Sequence, residues 1–406
     1  MMKKISKILV SIICIFALAV PSVFADINDV MFDLESLGVL EGMDKNADMD
    51  AYITRGEFAQ LVVNALGHTE SADTMRDKGY FSDVSATPYV GAINLLYELK
   101  VLSGTGVGTF SPDNYITHAQ VGKMMVNVLG YSNIVNGNDL NAYYFQAGAL
   151  GVYNNVNTTD KYVTRRDAYM MVYNSLNVDV MTQNFGMFGT GSYEVVDGNT
   201  LKSYLQTSQH HKLTKKTGIV TADRYTYLHD TEIGMYKTNL IQIDGELINC
   251  NFDVPNGLVG MEVDYYIEYT DGETYNVASI QPTSDNTVVE FNLDDFISAS
   301  SNVLKYNLND NAEKIRYDVT TKIVYNNRRE RSWTPANIAN YKNGVVKAID
   351  NNEDGVYDVI YIYDYKDAVV ERIYSESKQL YFANSQIVDG KRYLSVDDEK
   401  ILVNII

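Results

Sequence analysis

The chain has 406 residues, enough for two or three domains with separate cores. A formal net charge of −19 excludes a nucleic-acid binder built on a basic surface and suits a soluble molecule on a cation-rich outer surface. Two cysteines, Cys14 and Cys250, and five histidines without zinc spacing exclude a disulfide framework and a zinc site.

At the start, Lys3, Lys4 and Lys7 precede the apolar run ILVSIICIFALAV, and Val23-Phe24-Ala25 follows. That order is a secretory signal peptide over residues 1–25, with cleavage expected after Ala25. A transmembrane anchor is the alternative, but the run is short for a span, and no later segment is apolar enough to cross a membrane. The mature chain is then exported and retains one cysteine, Cys250, which reads as an apolar filler in a strand-like run.

Next, one helix start recurs: ITRGEF at Ile53–Phe58, ITHAQV at Ile116–Val121 and VTRRDA at Val163–Ala168. Thr54, Thr117 and Thr164 are each followed ten residues later by asparagine: Asn64, Asn127 and Asn174. Between them, Phe58, Leu61, Val62 and Ala65 fall on one helical face, as do Val121, Met124, Met125 and Val128, and Ala168, Met171, Val172 and Ser175. Each threonine reads as an N-cap. Glu57 and Gln120 three residues on complete a capping box, and Asp167 makes a weaker one. Upstream stand LGVLEG at Leu37–Gly42, LKVLSG at Leu99–Gly104 and LGVYNN at Leu150–Asn155, each closing a shorter amphipathic segment. In the middle copy Asp83, or a residue beside it, is expected to cap that segment, and the loop GTGVGTFSPDNY follows. Three helix–loop–helix units result, over 26–67, 80–130 and 140–176, and such units bury their faces only against one another.

FSDV, LKVLSG, GTFSPDNYITHAQ and the shorter ITRGE and VTRRD resemble surface-layer homology domains, over residues 26–180. The resemblance implies an all-α, three-repeat, pseudo-trimeric module ahead of β-rich domains in a multidomain protein. It also implies binding to a secondary cell-wall polysaccharide, often pyruvylated, in grooves between prongs, at the cell wall or surface layer. Carried over residue by residue, the family's arginine stands as Arg55 and Arg165, its acid as Asp83, its first-helix aromatic as Tyr89 and its glycine as Gly104. The middle copy has His118 instead of arginine, and a neutral imidazole does not reproduce a guanidinium fork. A pyruvyl ketal carries a carboxylate, which suits arginine beside the free amides of a helix start. From spacing alone, Arg55 and Arg165 read equally as solvated caps or as salt bridges between repeats.

MTQNFGMFGTGS suggests a linker over 181–192. Beyond it come short Val-, Ile-, Tyr- and Thr-rich runs with period-two alternation, divided into β-rich domains at 193–300 and 301–406. Asp-Gly at 197–198, 244–245, 271–272, 354–355 and 389–390 reads as hairpin turns. The loop DNNEDGVYD offers oxygen donors at Asp350, Asn352, Asp354 and Asp358, with Gly355 at the bend, so calcium is one reading and a plain acidic hairpin the other. Position twelve is Tyr361 and the flanks are strands, so the helix-flanked calcium hand is excluded. No GxSxG, HExxH or CxxC is present. The expectation is a non-catalytic wall-anchoring protein, with lateral self-association open. A wall-anchored hydrolase or glycan-binding module in the β-rich half is the alternative.

Overall fold

The computed structural model describes residues 26–44, 46–137, 139–185, 191–207, 212–229, 237–269, 275–309, 311–329, 335–341, 343–365, 370–374, 379–382 and 393–395. The expected signal peptide at 1–25, and the Asp-Gly pairs at 271–272 and 389–390, lie outside them.

Helices fill the first half: α1 (Ile27–Ser36), α2 (Arg55–Ala65), α3 (Thr69–Asp73), α4 (Val90–Glu98), α5 (His118–Val128), α6 (Leu140–Ala149), α7 (Arg165–Leu176) and α8 (Leu201–Thr207). The Thr54 and Thr117 boxes form in full, each hydroxyl taking the amide three residues on while Glu57 or Gln120 reaches back. At the third start Thr164 accepts from the Asp167 amide and donates to the Asp167 carboxylate, so the shorter acid does not reach the cap amide. The recurring asparagines are latches. Asn64 donates to the carbonyls of Val39 and Glu41, Asn127 to Val101, and Asn174 to Val152 and Asn154. Each binds the second helix of its unit to the turn that ends the first.

The residues before the capping threonines join into a cycle. Ile53 donates its amide to the Val163 carbonyl, Val163 to Ile116 and Ile116 to Ile53, at 3.0, 3.0 and 3.2 Å. All three side chains are buried. The preceding tyrosines, Tyr52, Tyr115 and Tyr162, cluster with ring centroids 5.4–5.7 Å apart.

Strands β1 (Asp179–Phe185) and β2 (Gly191–Thr200) pair antiparallel. This corrects the linker expected at 181–192, because its described residues, 181–185 and 191–192, lie in two paired strands. Asp197-Gly198 lies within β2, where Gly198 donates to Asp179, and so is not a hairpin turn. Strands β3 (Leu213–Ala222), β4 (Leu240–Ile243), β5 (Glu246–Asn249), β6 (Glu262–Tyr269) and β7 (Tyr275–Pro282) form an antiparallel sheet in the order β5-β4-β3-β6-β7. Asp244-Gly245 makes the β4–β5 turn, with φ positive at both residues.

The last part comprises β8 (Thr287–Asn292), β9 (Phe296–Ala299), β10 (Val303–Leu308), β11 (Asn311–Arg316), β12 (Lys322–Tyr325), β13 (Arg328–Arg329), β14 (Gly344–Asp350), β15 (Val359–Asp364), β16 (Val370–Tyr374), β17 (Gln379–Phe382) and β18 (Tyr393–Ser395). One sheet runs β13-β12-β15-β14-β8, with β12 and β15 parallel. Because β8 and β9 lie in the same core as β10, β14 and β15, the division between the β parts falls before residue 287, not at 300.

Helical and β parts are bolted together. Asp33 of α1 is 1% exposed and accepts Lys215 Nζ at 2.8 Å and Tyr266 Oη at 3.2 Å, with Lys202 Nζ at 3.5 Å and Tyr173 Oη at 3.4 Å. Leu213 and Tyr266 of the first sheet share the hydrophobic core of the helices. Ser36–Ser279 and Gln281–Asp29 hydrogen bonds extend the seam.

Candidate functional site

The five residues carried over from the family pattern fall into two groups. Arg55, Asp83 and Gly104 converge on the loop between α4 and α5. Arg55 is buried. Its Nε donates to the Phe110 carbonyl at 3.0 Å, its NH2 group approaches the Ser103 carbonyl at 3.5 Å, and its guanidinium lies 4.3 Å from the centre of the Phe110 ring. Burial draws this guanidinium below its usual value, opposed by Asp83. Asp83 does not cap α4, whose N-cap is Tyr89 without a side-chain bond; it accepts the amides of Phe110 and Ser111 instead. Desolvation pushes its carboxyl up, but those amides, with Arg55, outweigh it and hold the group below the ordinary range. At Gly104 a Cβ would stand 2.5 Å from the Thr109 carbonyl oxygen, so glycine is required by the loop's own closure.

Arg165 of the third unit and Tyr89 of the second lie at a different place, beside Glu57 and Gly56 of the first. Arg165 NH2 binds Glu57 Oε1 at 2.6 Å, both side chains being less than a fifth exposed, and NH1 approaches the Asp48 carbonyl at 3.4 Å. Tyr89 is half-buried beside Gly56, where a Cβ would stand 2.8 Å from its ring. Burial raises the Tyr89 hydroxyl, and Glu57, Arg165 and Asp44 all act on it.

The residue after each capping threonine therefore reaches into the loop of another unit. His118 follows the pattern: it is buried, faces the backbone of Asn157 and Asp160, and leaves its Nε2 without a partner. Burial lowers its pKa from 6.5, while Asp167, those carbonyls and the Asp160 carboxylate pull the other way. The folded state thus keeps a neutral ring, and below pH 6.5 the unfolded chain binds the proton more readily. This contribution is complete above that pH and is lost as pH falls through the lower folded value. Urea midpoints should fall between pH 7.5 and 5, and H118Q should flatten that dependence; an unchanged slope would remove His118 as its source.

A cleft of about 610 Å³ opens between α4, α5 and α6, lined by Tyr97, Glu98, Lys100, Leu102, Ser103, Lys123, Asn127, Ser132 and Tyr143. Lys123 Nζ lies 5.4 Å from the Tyr143 ring centre. Lys100 occupies the left-handed position that ends α4, at φ +59°. The matching residues of the other units are Gly38 at φ +76° and Gly151 at φ +79°, and all three sites carry the same pair of turn bonds. A side chain there costs roughly 1 kcal/mol relative to glycine. Sequence reasoning missed this cleft. The signal was available as LKVLSG against LGVLEG and LGVYNN, but its meaning depends on the backbone conformation.

In the Asp350–Asp358 loop the expected donors turn onto their own backbone. Asp350 accepts the amides of Asn352 and Gly355, Asn352 that of Asp354, Asp354 that of Val356, and Asp358 that of Asn351. Burial raises the Asp358 carboxyl, with Asp350 and Asp354 adding to it and the Asn351 amide opposing. Among the described residues, no three His, Cys, Asp or Glu side chains are grouped to hold a metal. Cys250 is buried, which pushes its thiol up to about 12 and suits a filler role. Among the described residues no helix is long and apolar enough to cross a membrane.

Residues 80–121 match the family model of the S-layer homology domain. The chain is 26% identical over 362 residues to the middle cell wall protein of Brevibacillus brevis, covering 82% of this chain and 33% of that protein. It is 24% identical over 420 residues to the surface layer protein of Brevibacillus choshinensis, covering 94% and 36%. It is 25% identical over 385 residues to a cell surface protein of Thermoanaerobacter kivui, covering 88% and 46%. The chain thus spans between a third and a half of the length of these relatives.

Proposed function

We propose that this chain, which carries an S-layer homology domain, is a non-catalytic protein of the cell surface whose helical half holds it to a secondary wall polysaccharide. In this reading residues 26–180 are three equivalent units about one axis, and the β-rich half projects outward or meets neighbouring copies. The observation that carries it is the match at 80–121, whose capping threonine recurs in the segments on either side, each time after the same kind of turn and with an asparagine latch ten residues on. The cycle of Ile53, Ile116 and Val163 supports the three-fold arrangement. A pyruvylated polymer fits the cationic groups beside the grooves, Arg165 and the cleft lysines. Lateral self-association fits relatives named as surface layer and cell wall proteins.

Sedimentation tests the anchoring role. The mature protein should pellet with peptidoglycan sacculi that retain their secondary polymer and stay in solution with sacculi stripped of it. Equal pelleting with both would remove the polymer as the target.

Calcium at the Asp350–Asp358 loop is a separate proposal. It rests on the donor spacing and the raised Asp358 carboxyl, and requires the side chains to exchange amide partners for the ion. Millimolar calcium should raise the thermal midpoint a few degrees over chelator-treated protein. Equal midpoints would leave the loop as an amide-bonded turn.

A further inference from the structure

We infer that Lys215 and Asp33 condense to an intramolecular amide, with Asp264 as the proton carrier, so that α1 of the helical part and β3 of the first sheet become covalently joined. Three observations converge. First, one amine stands between two carboxylates: Lys215 Nζ lies 2.8 Å from Asp33 Oδ1 and 3.0 Å from Asp264 Oδ2. At hydrogen-bond distance from Oδ1, the nitrogen is also placed to attack the carboxyl carbon. Second, the site is closed. The Asp33 side chain is 2% exposed, and the rings of Phe32 and Tyr266 have their centres 5.8 and 6.0 Å from Lys215 Nζ. Excluding water protects the amide from the reverse reaction. Third, Asp33 Oδ2 faces Lys202 Nζ at 3.5 Å and the Tyr173 hydroxyl at 3.4 Å, so donors stand where negative charge develops as the carbon is attacked. Tyr266 Oη donates to Oδ1, the oxygen that leaves.

Lys215 starts as the ammonium: burial opposes its charge, but its bonds to Asp33 and Asp264 outweigh that. Asp264, oriented by the Thr217 hydroxyl at 2.6 Å, takes a proton from Nζ and frees the amine. The amine attacks the Asp33 carboxyl carbon. A second proton leaves the nitrogen as the C–O bond breaks. Both protons pass through Asp264 to Oδ1, which departs as water. One N–C bond has formed, one C–O bond has broken, the charges of ammonium and carboxylate have cancelled, and Asp264 is again ionised. No oxidant or other reactant is consumed, and wall binding plays no part.

Mass spectrometry of the mature full chain tests this. The intact wild-type protein should be lighter than its sequence by the mass of one water, and a tryptic digest should yield the peptides carrying Asp33 and Lys215 joined as one species. K215R keeps the cation, but its guanidinium stays protonated and does not condense, so this variant should show the full sequence mass. D264A should also keep its full mass while its circular dichroism remains that of a folded chain. The wild-type digest decides the matter whether or not either variant folds. Free Asp33 and Lys215 peptides in a wild-type digest overturn the proposal, including the case where a water is lost elsewhere in the chain, and leave the three groups as an ion pair. A link from Lys215 to Asp264, or from Lys202 to Asp33, overturns the assignment of reacting groups. D264A that links as fully as wild type overturns the role of Asp264.

Discussion

Replacing Asp33 by alanine is expected to lower the stability of the mature protein by about 3 kcal/mol, the low end for breaking a buried ion pair. The carboxylate is almost fully enclosed and receives two lysines and two tyrosines from α7, α8, β3 and β6. Removing it leaves cation and hydroxyl groups in a closed space. The effect stays at the low end because Lys215 keeps a second partner, Asp264, at 3.0 Å. Asp33→Asn preserves the volume and an acceptor for the tyrosines, so it should lose less. Urea denaturation followed by tyrosine fluorescence and by circular dichroism checks both variants. For Asp33→Ala the two signals should separate, the helical and first-sheet parts no longer melting together. A single transition within 0.5 kcal/mol of wild type would show that the seam does not couple them.

For Arg55→Ala the expected loss is about 2–4 kcal/mol, since the change empties buried volume and leaves the Phe110 carbonyl without its donor. Lysine should recover only part of this, because it lacks the planar fork that lies over Phe110 while bonding its carbonyl. Binding to sacculi should fall with the folded fraction. If Arg55→Ala melts like wild type and still releases the wall, the guanidinium acts on the ligand and its burial in the free protein is not the binding state.

The contrast between these two residues explains what could be read in advance. The capping boxes at Thr54 and Thr117 were legible because cap, acid or amide, and apolar face lie within one helix. The spacing of Asn64, Asn127 and Asn174 was equally visible, but not its purpose, since each carbonyl partner lies twenty or more residues upstream. Asp33 gave no signal at all. Its partners come from positions 173, 202, 215 and 266, and an acid on a short helix reads as solvent-facing. The order helices-then-strands followed from a change in periodicity. The pairing of β1 with β2 was hidden because glycine-bearing text gives no strand alternation. Within the candidate grooves, Arg165 and Tyr89 were named from pattern, and the lysine cleft was not.

The backbone bonds that pass from Ile53 to Val163, on to Ile116 and back to Ile53 carry a consequence for how this region can change. An open stack of repeats can gain or shed members, because its ends are interchangeable with its middle once suitably covered. A loop of three has no end. Inserting a fourth member or excising one would open every junction at once, so this arrangement fixes its own copy number and should fold as one indivisible event rather than by stepwise growth. Change in this region is therefore open through the identity of single side chains, such as lysine in place of glycine at position 100, and not through the number of repeats.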